Sequence, residues 1–287
     1  MKNIKKLLAA LVAGTILVGS LVGCSSSKSS STSSSNNSSI EAIKKRGVIR
    51  IGVFSDKAPF GYVDSNGKNQ GFDVYVAKRL AKDLLGSESK VKFVLVDAAS
   101  RVSYLQTNKV DIIMANFTVT DERKQQVDFA NPYMKVSLGV VSPNNAKITS
   151  VDQLKDKKVI VAKGTTAETY FTKNLPNIQL VKFDQYSEIF EALKDKRGDV
   201  IANDNTELIA WAKKNPGFTV GVTKLGSQDT IAPAVKKGNK ELLNWINSDL
   251  TKLGKENFVH KAYDATLKST YGSEFEDSLV VEGGKVK

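Results

Sequence analysis

The stretch ANFTVTDERKQQVDFANPY, residues 115–133, predicts the edge of an α/β sheet, because strand, loop and helix signals follow one another there. The apolar run VDIIMA leads into it and predicts a buried strand. Thr120, followed by Asp121 and Glu122, is typical of a capped helix start. Arg123 therefore falls just beyond the carboxyl end of a strand, which is where open α/β sheets bind their ligands.

Arg123 is the candidate anchor of such a ligand. A guanidinium can make two parallel hydrogen bonds to a carboxylate, and Thr118 can add a hydroxyl group nearby. The alternative makes Arg123 an ordinary surface residue of the helix and Thr118 a turn residue. Spacing alone does not decide between the two interpretations.

The flanking sequence alternates strand and helix patterns, which predicts an α/β class protein with parallel sheets. The alternation starts afresh near residue 144 and runs to about residue 230, which predicts a second lobe. The amphipathic segment ELLNWINSDLTKLGKENF then returns to the first lobe. The predicted organisation is residues 1–23 as a signal peptide, 24–39 as a tether, 40–140 plus 232–287 as lobe 1, and 141–231 as lobe 2. Two crossings, near residues 140–145 and 229–235, would join the lobes.

Lobe 2 also has candidate ligand-binding residues at the ends of its predicted strands. Thr165 and Thr166 open a helix after a strand, and a helix start presents free N–H groups that favour anions. Plain capping by Thr165 and Glu168 is the alternative. Asp204 ends the next strand and could receive an ammonium group, although it could equally cap the helix that follows.

Two further residues fit a small ligand. Phe60 follows the first strand and could wall a pocket, or it could belong to the core. Arg101 lies past another strand end and could reach the ligand or pair with a surface acid. Arg123 for a carboxylate and Asp204 for an ammonium together complement a zwitterion.

The N-terminus predicts export. A basic head, an apolar run and the sequence LVGC are typical of a lipoprotein signal that ends in a lipidated Cys24. The alternative is an uncleaved membrane anchor with an idle cysteine. The Ser-rich segment up to residue 39 has nothing apolar to bury, so it predicts a flexible tether. Cys24 is the only cysteine, so an internal disulfide is excluded.

The net charge of +12 comes from 42 basic and 30 acidic residues. Nucleic acid is not expected as a partner, because the chain is exported. The scattered lysines indicate a solvated surface, although a basic tethered body could also act as an adhesin toward anionic polymers. The only histidine, His260, lies far from the candidate cleft in sequence, and no His/Cys cluster suggests a metal. We therefore expect no enzyme activity, no catalytic residue and no cofactor.

Several motifs resemble a known family. The pattern T-x-T-x-x-R at residues 118–123, the pattern DF-x-x-PY at 128–133, and the segments KGTTAETYF and DNTELIAW are similar to the polar amino-acid substrate-binding proteins of ABC importers. The resemblance covers roughly residues 40–280. The segments SDKAPFGYVD, NGKNQG, LVDAASRVSYL and APAVKKGNKEL are most similar to the cysteine-binding branch. Aspartate/glutamate and glutamine binders resemble the chain less.

The resemblance implies a two-lobed type II periplasmic-binding-protein fold, with mostly parallel sheets flanked by helices and two hinge crossings. It implies that Arg123 holds the α-carboxylate of the ligand and that Asp204 holds the α-ammonium. Further implied contacts come from Thr118, the backbone of Asn116, Thr165, Thr166, Phe60 and Arg101. Arg101 matches a position that contacts the ligand side chain in acidic-ligand binders. Asn203 departs from relatives in which histidine precedes the aspartate, which puts any role of that histidine in doubt here.

The expected function is capture of a polar amino acid, with L-cysteine favoured, and its delivery to an ABC permease. Aspartate/glutamate or glutamine binding, or an adhesin on the same fold, are the alternatives. The protein is expected to be a monomer outside the cytoplasm, lipid-anchored to the membrane of a single-membrane bacterium.

Overall fold

The computed structural model describes residues 39–286, so the predicted signal peptide, Cys24 and nearly all of the predicted tether lie outside the described residues. Strands and helices alternate along most of the described chain. The strands are β1 Ile49–Val53, β2 Asp56–Lys57, β3 Gly61–Val63, β4 Asn69–Gln70, β5 Val91–Leu95, β6 Ile112–Ile113, β7 Val127–Phe129, β8 Met134–Pro143, β9 Lys158–Ala162, β10 Gln179–Phe183, β11 Val200–Asp204, β12 Phe218–Ile231 and β13 Ala234–Lys236.

The helices pack around these strands, and four short 3₁₀ turns complete the regular structure of the described residues. The helices are α1 Ser39–Arg46, α2 Phe72–Leu85, α3 Arg101–Gln106, α4 Asp121–Lys124, α5 Thr166–Asn174, α6 Tyr186–Lys194, α7 Asn205–Lys214, α8 Lys240–Gly254, α9 Phe258–Thr266, α10 Lys268–Tyr271 and α11 Glu276–Leu279. No helix of residues 39–286 is long and apolar enough to cross a membrane.

Two five-stranded sheets organise the chain, with the orders β5-β1-β6-β13-β7 and β10-β9-β11-β8-β12. In the first, β1 runs parallel to β5 and β6, whereas β13 runs antiparallel to β6 and β7. In the second, β9 runs parallel to β10 and β11, whereas β8 runs antiparallel to β11 and β12. The α/β prediction is confirmed. Both sheets are mixed, and in each of them four of the five strands run in one direction, with β13 and β8 as the opposed strands.

The mixed character arises from the strands that carry the chain out of the first sheet and back. β8 and β12 form an antiparallel pair. Met134 faces Ile231 at one end of the pair, and Pro143 faces Phe218 at the other. Antiparallel neighbours need no helical crossover, so the α/β alternation is interrupted there. A small antiparallel sheet of β2, β3 and β4, which the sequence patterns did not predict, lies outside the two large ones.

Sheet membership gives a division of the described residues into two lobes. Residues 134–140 were assigned to lobe 1, yet they belong to β8 of the second sheet. In the description that follows, the first lobe is residues 39–133 and 232–286, and the second lobe is residues 134–231. The predicted signal, tether and lobe limits stay predictions.

The core of the first lobe explains how the C-terminal segment is held. Leu250 and Leu253 of α8 are buried in the same hydrophobic cluster as Ile51 of β1 and Leu80 of α2. At roughly 25 cal/mol per Å² of buried apolar surface, each such side chain contributes about 1.5–3 kcal/mol. The amphipathic pattern of α8 thus closes the core of the first lobe.

Candidate functional site

The loop after β6 is held by a buried carboxylate. The backbone N–H of Asn116 donates to Asp73 Oδ2 at 2.7 Å, and the hydroxyl of Tyr133 donates to Asp73 Oδ1 at 2.7 Å. Asn116 has a left-handed φ of 44°. Burial raises the pKa of Asp73 to about 7, although these two hydrogen bonds oppose the rise. The side-chain amide of Asn116 is buried without a partner among the described residues.

In the sequence, Asp73 at the start of the amphipathic segment FDVYVAKRLAKDLLG is a candidate helix cap, but the structure shows that it does not cap α2. The N-cap is Gly71, with a φ of 112°. A side chain at this position would clash with the backbone of Phe60. Asp73 therefore lies inside the first turn of α2, where it is fully buried and positions the loop at Asn116.

Arg123 lies where the opening motif predicts. Thr120 caps α4 by accepting a hydrogen bond from Arg123 N at 3.2 Å. The half-buried guanidinium donates from Nη1 to Thr118 O at 2.8 Å and from Nη2 to Gly164 O at 2.9 Å. The guanidinium carbon Cζ of Arg123 lies 4.7 Å from the ring centre of Phe117. The surface interpretation of Arg123 is therefore wrong, because its side chain spans the two lobes.

Arg101 reaches the same place from α3. Its side chain is buried and donates to Ala98 O at 2.9 Å, Ala115 O at 3.1 Å and Gly164 O at 3.1 Å. Its guanidinium carbon lies 4.3 Å from the ring centre of Phe117. Pairing with a surface acid is excluded as its role.

The two guanidinium groups form a cationic pair that no carboxylate of the described residues contacts directly, although the charge of Asp204 partly offsets theirs. Both contact the ring of Phe117 and both donate to Gly164 O. In residues 39–286, neither Arg101 nor Arg123 makes an ion pair with a carboxylate; both donate to neutral carbonyl oxygens. Burial lowers the pKa of both, and the charge of Arg101 lowers that of Arg123 further. A carboxylate from outside would relieve this repulsion.

Thr165 shows the predicted capping arrangement. Its hydroxyl accepts from Glu168 N at 3.2 Å and donates to Ala162 O at 2.7 Å. Glu168 in turn accepts from Gly164 N at 2.7 Å. The hydroxyl of Thr165 is thus engaged within its own lobe. Thr166 instead lines the open space beside Arg123.

Asp204 ends β11, and its side chain makes no capping bond to α7, so the capping alternative is wrong. Its Oδ2 accepts instead from Lys57 Nζ at 2.7 Å, across the two lobes. Lys57 is fully buried, with Nζ 3.3 Å from the hydroxyl of Tyr186 and 3.5 Å from Glu207 Oε2. Asn203 donates to Glu207 from its side-chain amide. Sequence reasoning missed Lys57, Tyr186 and Glu207.

Electrostatics keep Lys57 charged. Burial alone lowers its pKa, but Asp204, Tyr186 and Glu207 outweigh burial, so the pKa of Lys57 is raised overall. Burial raises the pKa of Glu207 to about 8, although Lys57 opposes the rise. Lys57 with Asp204 is thus a buried ion pair that bridges the lobes.

The aromatic side chains nearest to the charged groups are not the one that the sequence suggested, Phe60. Phe60 is fully buried in the hydrophobic core of the first lobe, which favours the core interpretation. Phe54 and Tyr186 stand closer to the charges, with ring centres 5.0 Å apart. Lys57 Nζ lies 4.4 Å from the ring centre of Tyr186.

A space of about 530 Å³ opens between the lobes beside Arg123. Its lining includes Phe117, Arg123, Thr166 and Asp229. Arg101, Asn116, Thr118 and Asp204 are buried and do not line it. The lobes are therefore closed over the inner charges. Contacts at the rim keep them together, among them an ion pair of Lys173 with Glu122 and a hydrogen bond from Gln185 to Asp97. Among residues 39–286, no group of His, Cys, Asp and Glu is arranged to hold a metal ion.

Gly164 provides a test of closure. We expect Gly164→Ala to weaken binding of the ligand by at least tenfold, because the added Cβ would lie 2.5 Å from Ala99 Cα of the other lobe. Gly164 also has a φ of 73°, which costs a non-glycine residue about 1–2 kcal/mol. Gly238→Ala is the matched control, since Gly238 has a φ of 85° but no heavy atom within 4 Å. Equal calorimetric affinities of the two variants would contradict closure at Gly164.

The buried acids predict a pH dependence of stability. The folded-state pKa values of Asp73, about 7, and of Glu207, about 8, exceed the ordinary values of about 4. The unfolded chain therefore loses these protons first, and the free energy of unfolding falls as pH rises from 5 to 8. Urea denaturation at three pH values measures this fall, and Glu207→Gln is expected to reduce its slope. A rise over the same interval would show that both groups are ionised in the folded protein.

The comparisons with known proteins show the family and the fold of the chain. Residues 49–268 match the model of the bacterial extracellular solute-binding proteins, family 3. The ABC transporter glutamine-binding protein GlnH of Bacillus subtilis is 34% identical over 232 residues, which are 80% of this chain and 85% of that protein.

Two solved structures are more similar. The solute receptor for L-cysteine of Neisseria gonorrhoeae is 57% identical, with a TM-score of 0.83. The cysteine-binding protein of Campylobacter jejuni is also 57% identical, with a TM-score of 0.84. Each match covers 85% of this chain and 99% of the other. The predicted type II periplasmic-binding-protein fold is confirmed. The chain belongs to the bacterial extracellular solute-binding proteins, family 3.

Proposed function

We propose that the protein binds L-cysteine outside the cytoplasm and delivers it to the permease of an ABC importer. The observation that carries this proposal is the inter-lobe charge pattern. Arg101 and Arg123 lack a carboxylate partner within the described residues, while Asp204 projects from the other lobe. A zwitterion between them would supply the missing anion at one end and an ammonium for Asp204 at the other.

The residue roles follow from this arrangement. Arg123 would hold the α-carboxylate, with Thr118 beside it. The expected backbone contact of Asn116 would need its N–H, which donates to Asp73, so the unpartnered side-chain amide of Asn116 would take that place. The start of α5 would contribute backbone N–H donors at Thr165 and Thr166 and the hydroxyl of Thr166 from the second lobe, because the hydroxyl of Thr165 already donates to Ala162 O. Arg101 would hold the loop and add positive charge. The contact of Phe60 with the ligand stays a prediction from family resemblance, because Phe60 lies in the core.

Cysteine is favoured as the ligand by similarity. The two cysteine-binding structures share 57% of their residues with this chain, whereas the glutamine-binding relative shares 34%. Cysteine has about seven non-hydrogen atoms, so a ceiling near −1.5 kcal/mol per atom limits binding to about −10 kcal/mol, or tens of nanomolar. Burial of both charged ends by closed lobes is what such affinity requires.

Aspartate or glutamate is the second candidate, and the additional positive charge of Arg101 is the observation that favours it. Glutamine stays an alternative because of the relative in Bacillus subtilis. An adhesin function could coexist with transport.

The anchoring part of the proposal rests on sequence. We propose a palmitate-type lipid anchor at Cys24, a Ser-rich tether and a monomeric body on a single-membrane bacterium. The family describes extracellular proteins, which supports the location. We propose no catalytic role, because the relatives are binding proteins of transport systems.

Titration calorimetry of the purified chain against all twenty amino acids and cystine tests the proposal. We expect binding of L-cysteine under reducing conditions, at micromolar concentration or below. A heat of binding with only aspartate or glutamate would show that the ligand is an acidic amino acid and not cysteine, and the protein would still be an amino-acid-binding protein. No heat with any amino acid would contradict the function itself.

A further inference from the structure

We propose that one end of the first lobe rests on a membrane surface of anionic lipid headgroups and turns the ligand site away from that surface. This end is called the basic face, and it consists of residues 39–50, 108–111 and 236–241. The inference rests on the proposed lipid anchor at Cys24, which would hold the protein at a membrane. It goes beyond the anchor, because a flexible tether alone gives the folded body no preferred orientation.

The three segments of the basic face are joined by hydrogen bonds. The hydroxyl of Ser39 in α1 donates to Asn239 Oδ1 at 2.7 Å. Lys236 Nζ donates to Asn108 Oδ1 at 3.1 Å. Residues of all three segments also line one common pocket. The basic face is therefore a single surface and not three separate patches.

Positive charge is in excess on the basic face. Its three segments contain eight basic and three acidic residues, whereas the whole chain contains 42 and 30. Two carboxylates are each shared by two cations, so neither pair of cations is neutralised. These contacts join Arg46 and Arg50 to Asp111, and Lys237 and Lys240 to Asp128. Lys44 and Lys45 are exposed and make no ion pair within residues 39–286. An anionic surface complements this charge.

The basic face and the ligand site lie at opposite edges of the first sheet. β1 begins at Ile49 beside the basic face, and Lys236, the last residue of the antiparallel strand β13, pairs with Val127 at the start of β7. Arg101 instead follows the end of β5, and Arg123 follows the end of β6. The five residues of β1, at about 3.3 Å each, separate the two edges by roughly 15 Å. A membrane at the basic face therefore leaves the ligand site facing away from the lipid.

The predicted tether favours lipid over other anionic partners. α1 begins at Ser39, so the predicted tether of residues 24–39 joins the folded body at the basic face. A flexible chain of that length reaches roughly 20 Å, which keeps this face close to the membrane that would hold Cys24. A free anionic polymer gains no such proximity. Salt screens the attraction, with a Debye length of about 8 Å at physiological ionic strength, so the contact is reversible and the body can still turn toward a permease.

Chemical labelling of lysines on vesicles tests this orientation. The purified full chain is incorporated into vesicles of phosphatidylglycerol or of phosphatidylcholine and treated with an amine-acetylating reagent, and mass spectrometry gives the reaction rate of each lysine. We expect Lys44, Lys45 and Lys240 to react roughly fivefold more slowly on phosphatidylglycerol at low salt, and at equal rates on both lipids in high salt. Lys196 and Lys214, exposed in the second lobe, are the controls and should react equally on both lipids. Equal rates at the basic face on both lipids at low salt would overturn the inference.

Charge reversal provides a second test with a matched control. Lys44→Glu/Lys45→Glu should remove the lipid dependence at Lys240, whereas Lys196→Glu/Lys214→Glu should retain it. A lipid dependence that survives the first variant would show that these lysines do not hold the membrane. Protection of the basic face by dextran sulfate, but not by phosphatidylglycerol, would assign the face to an anionic polymer and overturn the membrane partner.

Two further measurements separate this inference from the proposed function. Flotation with phosphatidylcholine vesicles tests the anchor at Cys24 alone, and calorimetry of both variants with L-cysteine should give the wild-type affinity, because the basic face is remote from the ligand site. Flotation with phosphatidylglycerol vesicles only would contradict the anchor and support the basic face. Flotation with neither lipid would contradict both. Absence of amino-acid binding would contradict only the proposed ligand.

Discussion

Arg123→Ala is expected to weaken amino-acid binding by at least thirtyfold. Arg123 contacts both lobes through Thr118 O and Gly164 O, and it lies half-buried beside a second guanidinium. Removing one partner of a buried, hydrogen-bonded charge pair costs about 2–5 kcal/mol. The Kd for the amino acid should therefore rise by roughly thirtyfold to several thousandfold. Titration calorimetry at constant ionic strength measures this change.

Two further variants make the Arg123 result specific. Arg197→Ala removes an exposed arginine that also lies over a phenylalanine ring, Phe183, and it should leave the Kd unchanged. Arg123→Lys keeps the charge but loses the bidentate geometry, so its Kd should fall between those of the wild type and Arg123→Ala. Normal affinity of Arg123→Ala would remove Arg123 from the ligand site. Unchanged adhesion of that variant to anionic polymers would separate an adhesin role from transport.

The cap and the arginine of the opening motif could be predicted because they are local. Thr120 caps α4 through a contact three residues away, and capping needs only the right side chain at the right spacing. The same reasoning failed at Asp73, where it also found a good capping residue. The close approach of Gly71 to the backbone of Phe60 moves the cap, and sequence spacing does not contain that contact.

The Lys57–Asp204 pair could not be predicted for a related reason. The two residues are 147 positions apart in the sequence, and no periodic pattern connects them. A lysine within a polar stretch of sequence is usually solvated, so the sequence around Lys57 predicts an exposed side chain. The burial of Lys57 arises only when the lobes meet. Asp204 could be placed at a strand end, but its partner in the closed protein could not.

Asp204→Asn is expected to eliminate ligand binding and to destabilise the folded protein at the same time. Ligand binding fails because a neutral amide cannot balance an ammonium group in a buried site. Stability falls because Lys57 stays buried and its nearest carboxyl group is then Glu207, 3.5 Å away, whose pKa burial raises to about 8. Breaking a buried ion pair on one side costs about 3–5 kcal/mol. Urea denaturation and calorimetry of the same preparation measure both effects.

The double variant Lys57→Met/Asp204→Asn separates these two effects. With both charges removed, no unpaired lysine is left in the site, so we expect the free energy of unfolding to return toward the wild-type value. Binding should not return, because the acceptor for the ligand ammonium is still missing. A double variant as unstable as Asp204→Asn would mean that Asp204 stabilises the protein through contacts other than Lys57. Recovery of binding would show that the ligand ammonium is held elsewhere, for instance by Glu207, and that Asp204 only neutralises Lys57.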